Sequence, residues 1–139
     1  MILLDTNVIS ELMRPAPNER VAAWLQSLGP ASLCTSAITI SEIVYGLERL
    51  PDGQRRQNLW DRFQAFIGPD SGLPIFPLDE AGAIFAGQFR YKREAAGSHA
   101  HTADMMIAGI ASANDAALAT RNVKDFDGLG VEIVNPWLN

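Results

Sequence analysis

Apolar positions recur along this chain in alternating short runs and helical stripes. Ile2-Leu3-Leu4 is a continuous apolar run, the pattern of a strand buried on both faces. From Asn7 to Met13 the apolar residues fall at helical spacing, and the pattern breaks at Arg14-Pro15-Ala16-Pro17. Asn18 is placed to cap a helix running to Leu28, with Val21, Trp24, Leu25 and Leu28 on one stripe before Gly29-Pro30 ends it. Residues 31–35 read as a second strand, and 37–50 as a helix that stops at the turn Pro51-Asp52-Gly53. Gln54 to Ile67 predicts another helix, with Leu59, Phe63, Phe66 and Ile67 on its apolar side. After a loop over 68–72, residues 74–78 read as a third strand, short or at a sheet edge because of Pro74 and Pro77. Asp79 caps a long helix to Ala96, closed by Gly97, and Thr102 starts one to about Asn114. Residues 116–119 and 131–134 are the last strands. Strands alternating with helices predict an α/β fold, with a mostly parallel central sheet and helices on both faces.

In such sheets the functional crevice lies outside the carboxyl ends of the strands, and several acids fall there. Asp5 directly follows the first strand. On local grounds it reads equally as a helix N-cap, with Thr6 and Asn7 as turn residues, or as part of a site. Glu42 lies in AITISEIVYGLERL, whose apolar stripe is Ile40, Ile43, Val44 and Leu47. It sits about 200° around the helix from Ile40. That face is either solvated or turned to the crevice together with Ser41 and Tyr45. Asp104, in HTADMMIAGIA, suits a helix first turn, where an acid complements the dipole. It also shares a line with Ile107, Ala108 and Ala111, and an inward-facing carboxylate needs a partner. Thr120, Arg121 and Asn122 follow the strand at 116–119, with Asp125 behind them. Locally they are turn and cap residues or a fourth polar contribution to one crevice.

The length of 139 residues suits one domain, and 47% hydrophobic with 19% charged residues fits a soluble globular chain. No basic leader precedes the apolar start, and no run approaches the roughly 18 apolar residues of a membrane span. The single cysteine, Cys34, reads as a small core residue, excludes an internal disulfide and suits a reducing compartment. Together these predict a cytoplasmic protein with no membrane partner. A net charge of −5 argues against a polyanionic partner. Two bound divalent cations would offset most of that charge. Nine of the eleven basic residues are arginine, the side chain better suited to phosphate, so charge does not decide the partner.

Three or four acids at one crevice raise one another's pKa, and a hard divalent cation relieves the repulsion. Mg²⁺ takes oxygen ligands and meets phosphate oxygens at such sites. Zinc is disfavoured: His99 and His101 stand two apart in a Gly-Ser-containing loop, not at the i, i+4 spacing of a helical pair. They read as exposed loop residues, with contact to substrate as the other reading. GxSxG, GxGxxG and a phosphate loop ending GK[ST] are all lacking. Trp24, Trp60 and Trp137 are spread apart and read as core or interface residues.

Four stretches then resemble one family: DTNVISE after the first strand, TISEIVYG on a helix, ADMMIA later, and TRNVKDF near the end. In that order, spanning residues 4–126, they are similar to the PIN-domain ribonucleases, and most of all to the VapC/FitB-like toxins of bacterial type II toxin–antitoxin systems. The resemblance implies a single PIN domain over 1–139, a three-layer α/β/α fold with a mostly parallel sheet, and a Mg²⁺- or Mn²⁺-dependent endoribonuclease. It places Asp5, Glu42 and Asp104 on the metal, with Asp5 and Asp104 most directly, and Asp125 at the fourth acidic position. Thr6, Asn7, Thr120 and Asn122 match supporting polar positions, with Ser41 beside Glu42. Some relatives have an acid where this chain has Asn122. Arg121 and Lys124, or Lys92 and Arg93, are placed to hold flanking phosphates of RNA. The resemblance also implies a homodimer and a cognate antitoxin, itself DNA-binding, whose C-terminal segment covers the site, within a larger assembly. Val8, Ile9, Leu12 and Met13, or the helix from Leu59 to Phe66, are candidate surfaces for these contacts. Two other classes remain: a non-catalytic PIN-like binding module, prompted by Asn122, and a phosphohydrolase with Asp5 as nucleophile. Against the latter, residue 7 is Asn where a second acid is wanted.

Overall fold

Among residues 1–138, which the computed structural model describes, five strands and six helices build three layers. The strands are β1 (Ile2–Leu4), β2 (Leu33–Ser36), β3 (Ile75–Phe76), β4 (Ala117–Ala119) and β5 (Ile133–Val134). The helices are α1 (Thr6–Leu12), α2 (Glu19–Gln26), α3 (Ala37–Glu48), α4 (Gln54–Ile67), α5 (Glu80–Ala95) and α6 (Thr102–Ala113). The sheet runs β3-β2-β1-β4-β5, and every neighbouring pair is parallel. The chain builds outward from β1 to β2 and β3 on one side, then returns to place β4 and β5 on the other. The strand order therefore switches between β1 and β4, and the two strand ends there define the crevice.

The side chains of β1 alternate between two cores. Leu3 joins Cys34, Leu118 and the buried faces of α5 and α6. Leu4 joins Ala119, Val8, Ile9, Trp24, Ile43 and Phe63, beneath α1 to α4. These two cores make the α/β/α layers expected from the sequence. Cys34 is fully buried, as expected of a small core residue. The caps expected at Asn18 and Asp79 form, and Ser36 adds a further one. Asn18 accepts from the Arg20 and Val21 amides, Ser36 from Thr39 and Asp79 from Gly82.

Several expectations need correction. Residues 30–32 form a 3-10 turn, and β2 starts only at Leu33. The third strand is as short as Pro74 and Pro77 predict, two residues at the sheet edge, because neither proline can donate to a ladder, whereas the strand expected over 131–134 shrinks to Ile133–Val134. The segment 123–126 forms a 3-10 turn. Val8, Ile9 and Met13 are buried in the core under α1 and offer no partner surface.

α5 and α6 approach closely where Gly109 faces Gly82 and Ala86. A Cβ at 109 would overlap the Gly82 carbonyl and stand 2.9 Å from the Ala86 amide nitrogen. Gly109→Ala should therefore cost about 1–3 kcal/mol through overpacking. Thermal denaturation should show a Tm lower by roughly 3–10 °C. An unchanged Tm would mean the helices part at no cost.

Candidate active site

Asp5 is the first residue beyond β1 and continues its ladder, its amide donating to the Ala119 carbonyl at 3.0 Å. Its side chain is only 3% exposed. Oδ1 accepts from the Thr6 amide at 2.7 Å, which also makes Asp5 the N-cap of α1. Oδ2 accepts from the Thr120 hydroxyl at 2.7 Å and from Asn7 Nδ2 at 3.3 Å. The two local readings of Asp5 thus describe one residue: it caps a helix and lies at the bottom of the crevice.

Thr120, just past β4, is saturated. Its hydroxyl donates to Asp5 and accepts from Asn7 Nδ2 at 3.2 Å and the Asn122 amide at 3.1 Å. Asn7 also accepts the Arg121 amide through Oδ1 at 3.1 Å. The β1 and β4 ends are therefore stitched together by side chains at the switch point. Across the crevice, the Thr6 hydroxyl donates to Glu42 Oε1 at 2.6 Å, a short charge-assisted bond. The Thr6 and Thr39 hydroxyls stand 3.3 Å apart, and Thr39 lies 3.3 Å from Ser36 Oγ. Glu42 is half-buried and turned to the crevice, not to bulk solvent.

Asp104, in the first turn of α6, has Ile107, Ala108 and Ala111 fully buried along its line. Burial raises its carboxyl pKa to about 6, assisted by the negative charges of Asp5, Asp125 and Glu42, while His101 pulls it down. Burial also raises Asp5, over the opposing effect of its Thr120 and Thr6 hydrogen bonds, and Glu42 and Asp125 add to the rise. Four carboxylates from four segments thus sense one another at one place.

Protein hydrogen bonds occupy both oxygens of Asp5 and one of Glu42. Among the described residues, none is made to the carboxylates of Asp104 or Asp125 or to Glu42 Oε2. This all-oxygen set, half tied down and half open, fits a hard divalent cation. Among the described residues no three His, Cys, Asp or Glu side chains already close around one point, so the open carboxylates would have to draw in to hold an ion.

Other expected residues are placed differently. Ser41 is exposed, and its hydroxyl joins no hydrogen bond of this network. Asn122 contributes its backbone amide, while its side chain is exposed. Arg121, Lys124 and Lys92 are exposed, with Arg121 stacked over Trp137 at 5.1 Å. Arg93 is corrected. It is buried and donates to two backbone carbonyls, because α5 turns its last-turn position inward beneath the loops. It is no phosphate contact. His99 and His101 are exposed, as expected for loop residues. Sequence reasoning missed Thr39, whose only signal was the Ser36-x-x-Thr39 cap. It also missed the stack of Arg49 on the 62% exposed Tyr45, at 5.4 Å on the Glu42 side of α3. A groove of about 620 Å³ opens beside Thr6 and Glu42, walled by Met13, Leu47, Leu50 and Leu59 and rimmed by Arg14, Arg55 and Arg62.

A parallel sheet whose switch point carries a buried aspartate, with further acids beside it, defines an acid-centred α/β/α domain. The PIN domain family model matches residues 2–130, and the chain belongs to that family. It is 41% identical over 137 residues to Toxin FitB of Neisseria gonorrhoeae, covering 99% of each chain. It is 34% identical to VapC ribonuclease Y4jK of Sinorhizobium fredii, covering 99% of this chain and 98% of the relative. Its fold superposes on the solved structure of FitAB bound to an IR36 DNA fragment with a TM-score of 0.88 at 40% identity, over 99% of this chain and 96% of that one.

An acid whose folded pKa is raised from 3.8 to about 6 binds an extra proton in the native state between those values. Its contribution to stability therefore falls as pH rises through that window and is lowest above pH 6. In chelator, Asp104→Asn should raise Tm at pH 7.5 by about 3–5 °C, the effect of roughly 1 kcal/mol. The gain should shrink steadily toward pH 4. A gain that is equal at both pH values would show that charge repulsion is not its source.

Proposed function

We propose that this protein is a divalent-metal-dependent endoribonuclease and the toxin of a toxin–antitoxin pair. The observation that carries the reading is the convergence of Asp5, Glu42, Asp104 and Asp125 on the β1/β4 switch point, with Asp104 raised to about 6 by burial and its acidic neighbours. Relatives named as a toxin and as a ribonuclease support it. Magnesium or manganese, when bound, would supply Lewis-acid polarisation of a phosphate oxygen and acidify water. Asp5 and Asp104 would hold the ion, with Asp125 as a further oxygen ligand. Glu42 is steadied through Oε1 by Thr6, leaving Oε2 to orient water or accept its proton. Arg121 and Lys124 would hold flanking phosphates.

The named FitAB assembly supports an antitoxin partner that itself binds DNA. Its segment would lie along the groove beside Glu42, apolar residues on Leu47, Leu50 and Leu59, acids toward Arg55 and Arg62. A homodimer within the larger assembly is part of the same reading. The phosphohydrolase alternative is weakened at residue 7, which is Asn where a second acid is wanted and whose side chain is spent on Asp5, Thr120 and the Arg121 amide.

The test is cleavage of structured RNA by purified, antitoxin-free protein with Mg²⁺ or Mn²⁺. Chelator should abolish cleavage, and Asp104→Asn should lower the rate at least about 100-fold, past the range of outer-shell changes. Cleavage that survives chelator, or full activity in the variant, would overturn the metal-nuclease reading. No cleavage of any RNA tried would favour a binding module.

Mg²⁺ should also raise the Tm of the parent by relieving carboxylate repulsion. Asp5→Asn should blunt that rise. An equal response in parent and variant would place the ion elsewhere.

A further inference from the structure

Arg93 is the one charged cation in the last turn of α5 that points into the protein, and it is 8% exposed. Burying a guanidinium normally calls for a carboxylate partner. Among the described residues none of the ion pairs involves Arg93. Its Nε donates to the His99 carbonyl at 2.8 Å, and Nη1 donates to the Asp127 carbonyl at 3.0 Å. The Arg93 carbonyl in turn accepts the Ser98 amide at 2.9 Å, which fixes the turn that follows α5.

The two carbonyls belong to segments far apart in sequence. His99 precedes by two residues the N-cap of α6, whose first turn carries Asp104. Asp127 ends the 3-10 turn that carries Asp125, two residues earlier. Of the four acids of the site, Asp104 and Asp125 are the two whose carboxylates take no hydrogen bond among the described residues. Nothing at their own side chains therefore fixes their separation. A planar guanidinium with donors in a rigid fork can fix two backbone segments at once. Phe126, on the second segment, is itself buried in the core that α5 and α6 share.

We propose that Arg93 is a positioning residue that sets the spacing of Asp104 and Asp125 by clamping the backbones behind them. It touches neither substrate nor reacting atoms. The inference rests on the metal-site reading above for its functional consequence, but the clamp itself can be tested without metal.

Two measurements on the full chain decide it, made at a temperature where circular dichroism shows each variant folded. In metal-free hydrogen exchange, Arg93→Gln should lose amide protection in both 98–104 and 123–128 and keep it in α1 and α2. Loss in only one segment, or in neither, overturns the clamp whatever else is found. In Mn²⁺ titration followed by electron paramagnetic resonance, Arg93→Gln should bind about 10-fold or more weakly, as outer-shell changes do. Arg93→Lys, which keeps the charge without the fork, should recover part of that loss. Arg90→Gln, one turn earlier on the exposed face, should bind as the parent does. A folded Arg93→Gln that binds Mn²⁺ within twofold of the parent reduces Arg93 to a structural residue and overturns the positioning role. A parent that takes up no Mn²⁺ overturns the metal-site reading instead, and the exchange result still decides the clamp.

Discussion

The hydrogen bond from Thr120 to Asp5 joins the ends of β1 and β4, and most of the site depends on it. It exists because the register sets Leu4 opposite Ala119, so the next residue of each strand meets the other just beyond the ladder. A carboxylate here is buried by the sheet and the α1 turn. Left without donors it would be several kcal/mol out of balance. Three donors reach it, from Thr6, Asn7 and Thr120. Hydrogen bonds to a charged group contribute about 1.5–3 kcal/mol each. They favour the ionised form, yet burial still holds its pKa above the usual value. Asp5 is thus rigidly placed and still short of positive charge.

That shortage spreads outward. Glu42 comes from the middle of α3, Asp104 from the first turn of α6 and Asp125 from the turn after β4, and each adds negative charge to the same place. In a fold selected for stability alone such acids would be neutralised by arginines or moved to the surface. Here the cations go elsewhere: Arg56 pairs with Glu48 and Asp52, Arg90 with Glu94, and Arg14 with Glu11. The crevice keeps its unbalanced charge, which is the condition a bound cation would relieve.

Much of this was legible in the sequence, and the reasons differ by residue. The element order, the caps at Asn18 and Asp79, and the two-sided burial of β1 follow from local chemistry and period. The burial of Asp104's line was readable as well, because Ile107, Ala108 and Ala111 leave no doubt which face packs. The strand length at 131–134 was not readable, since edge pairing depends on the neighbouring strand. The role of Arg93 was hidden for a stronger reason. A lysine and an arginine adjacent on a helix look alike in sequence, and only the loops that fold over α5 decide which one is buried. The same limit applied to Val8, Ile9 and Met13, whose helix is too short for its pattern to separate core from surface.

The acids divide by how they are held. Asp5 and Glu42 are fixed through their own side chains, by the strand ends and by Thr6. Asp104 and Asp125 are fixed only through the backbone that carries them, with their oxygens left open. An ion gripped between the two sets would need the first to be immobile and the second to approach it along a defined path. A site built this way can leave its acids unclosed without disorder, because the geometry is stored in β1 and β4 on one side and in the α5–α6 corner on the other. The tight contact of Gly109 with Gly82 and Ala86 locks the same helix pair at its far end. The crevice therefore combines a rigid frame with unneutralised charge, and neither would serve a cation without the other.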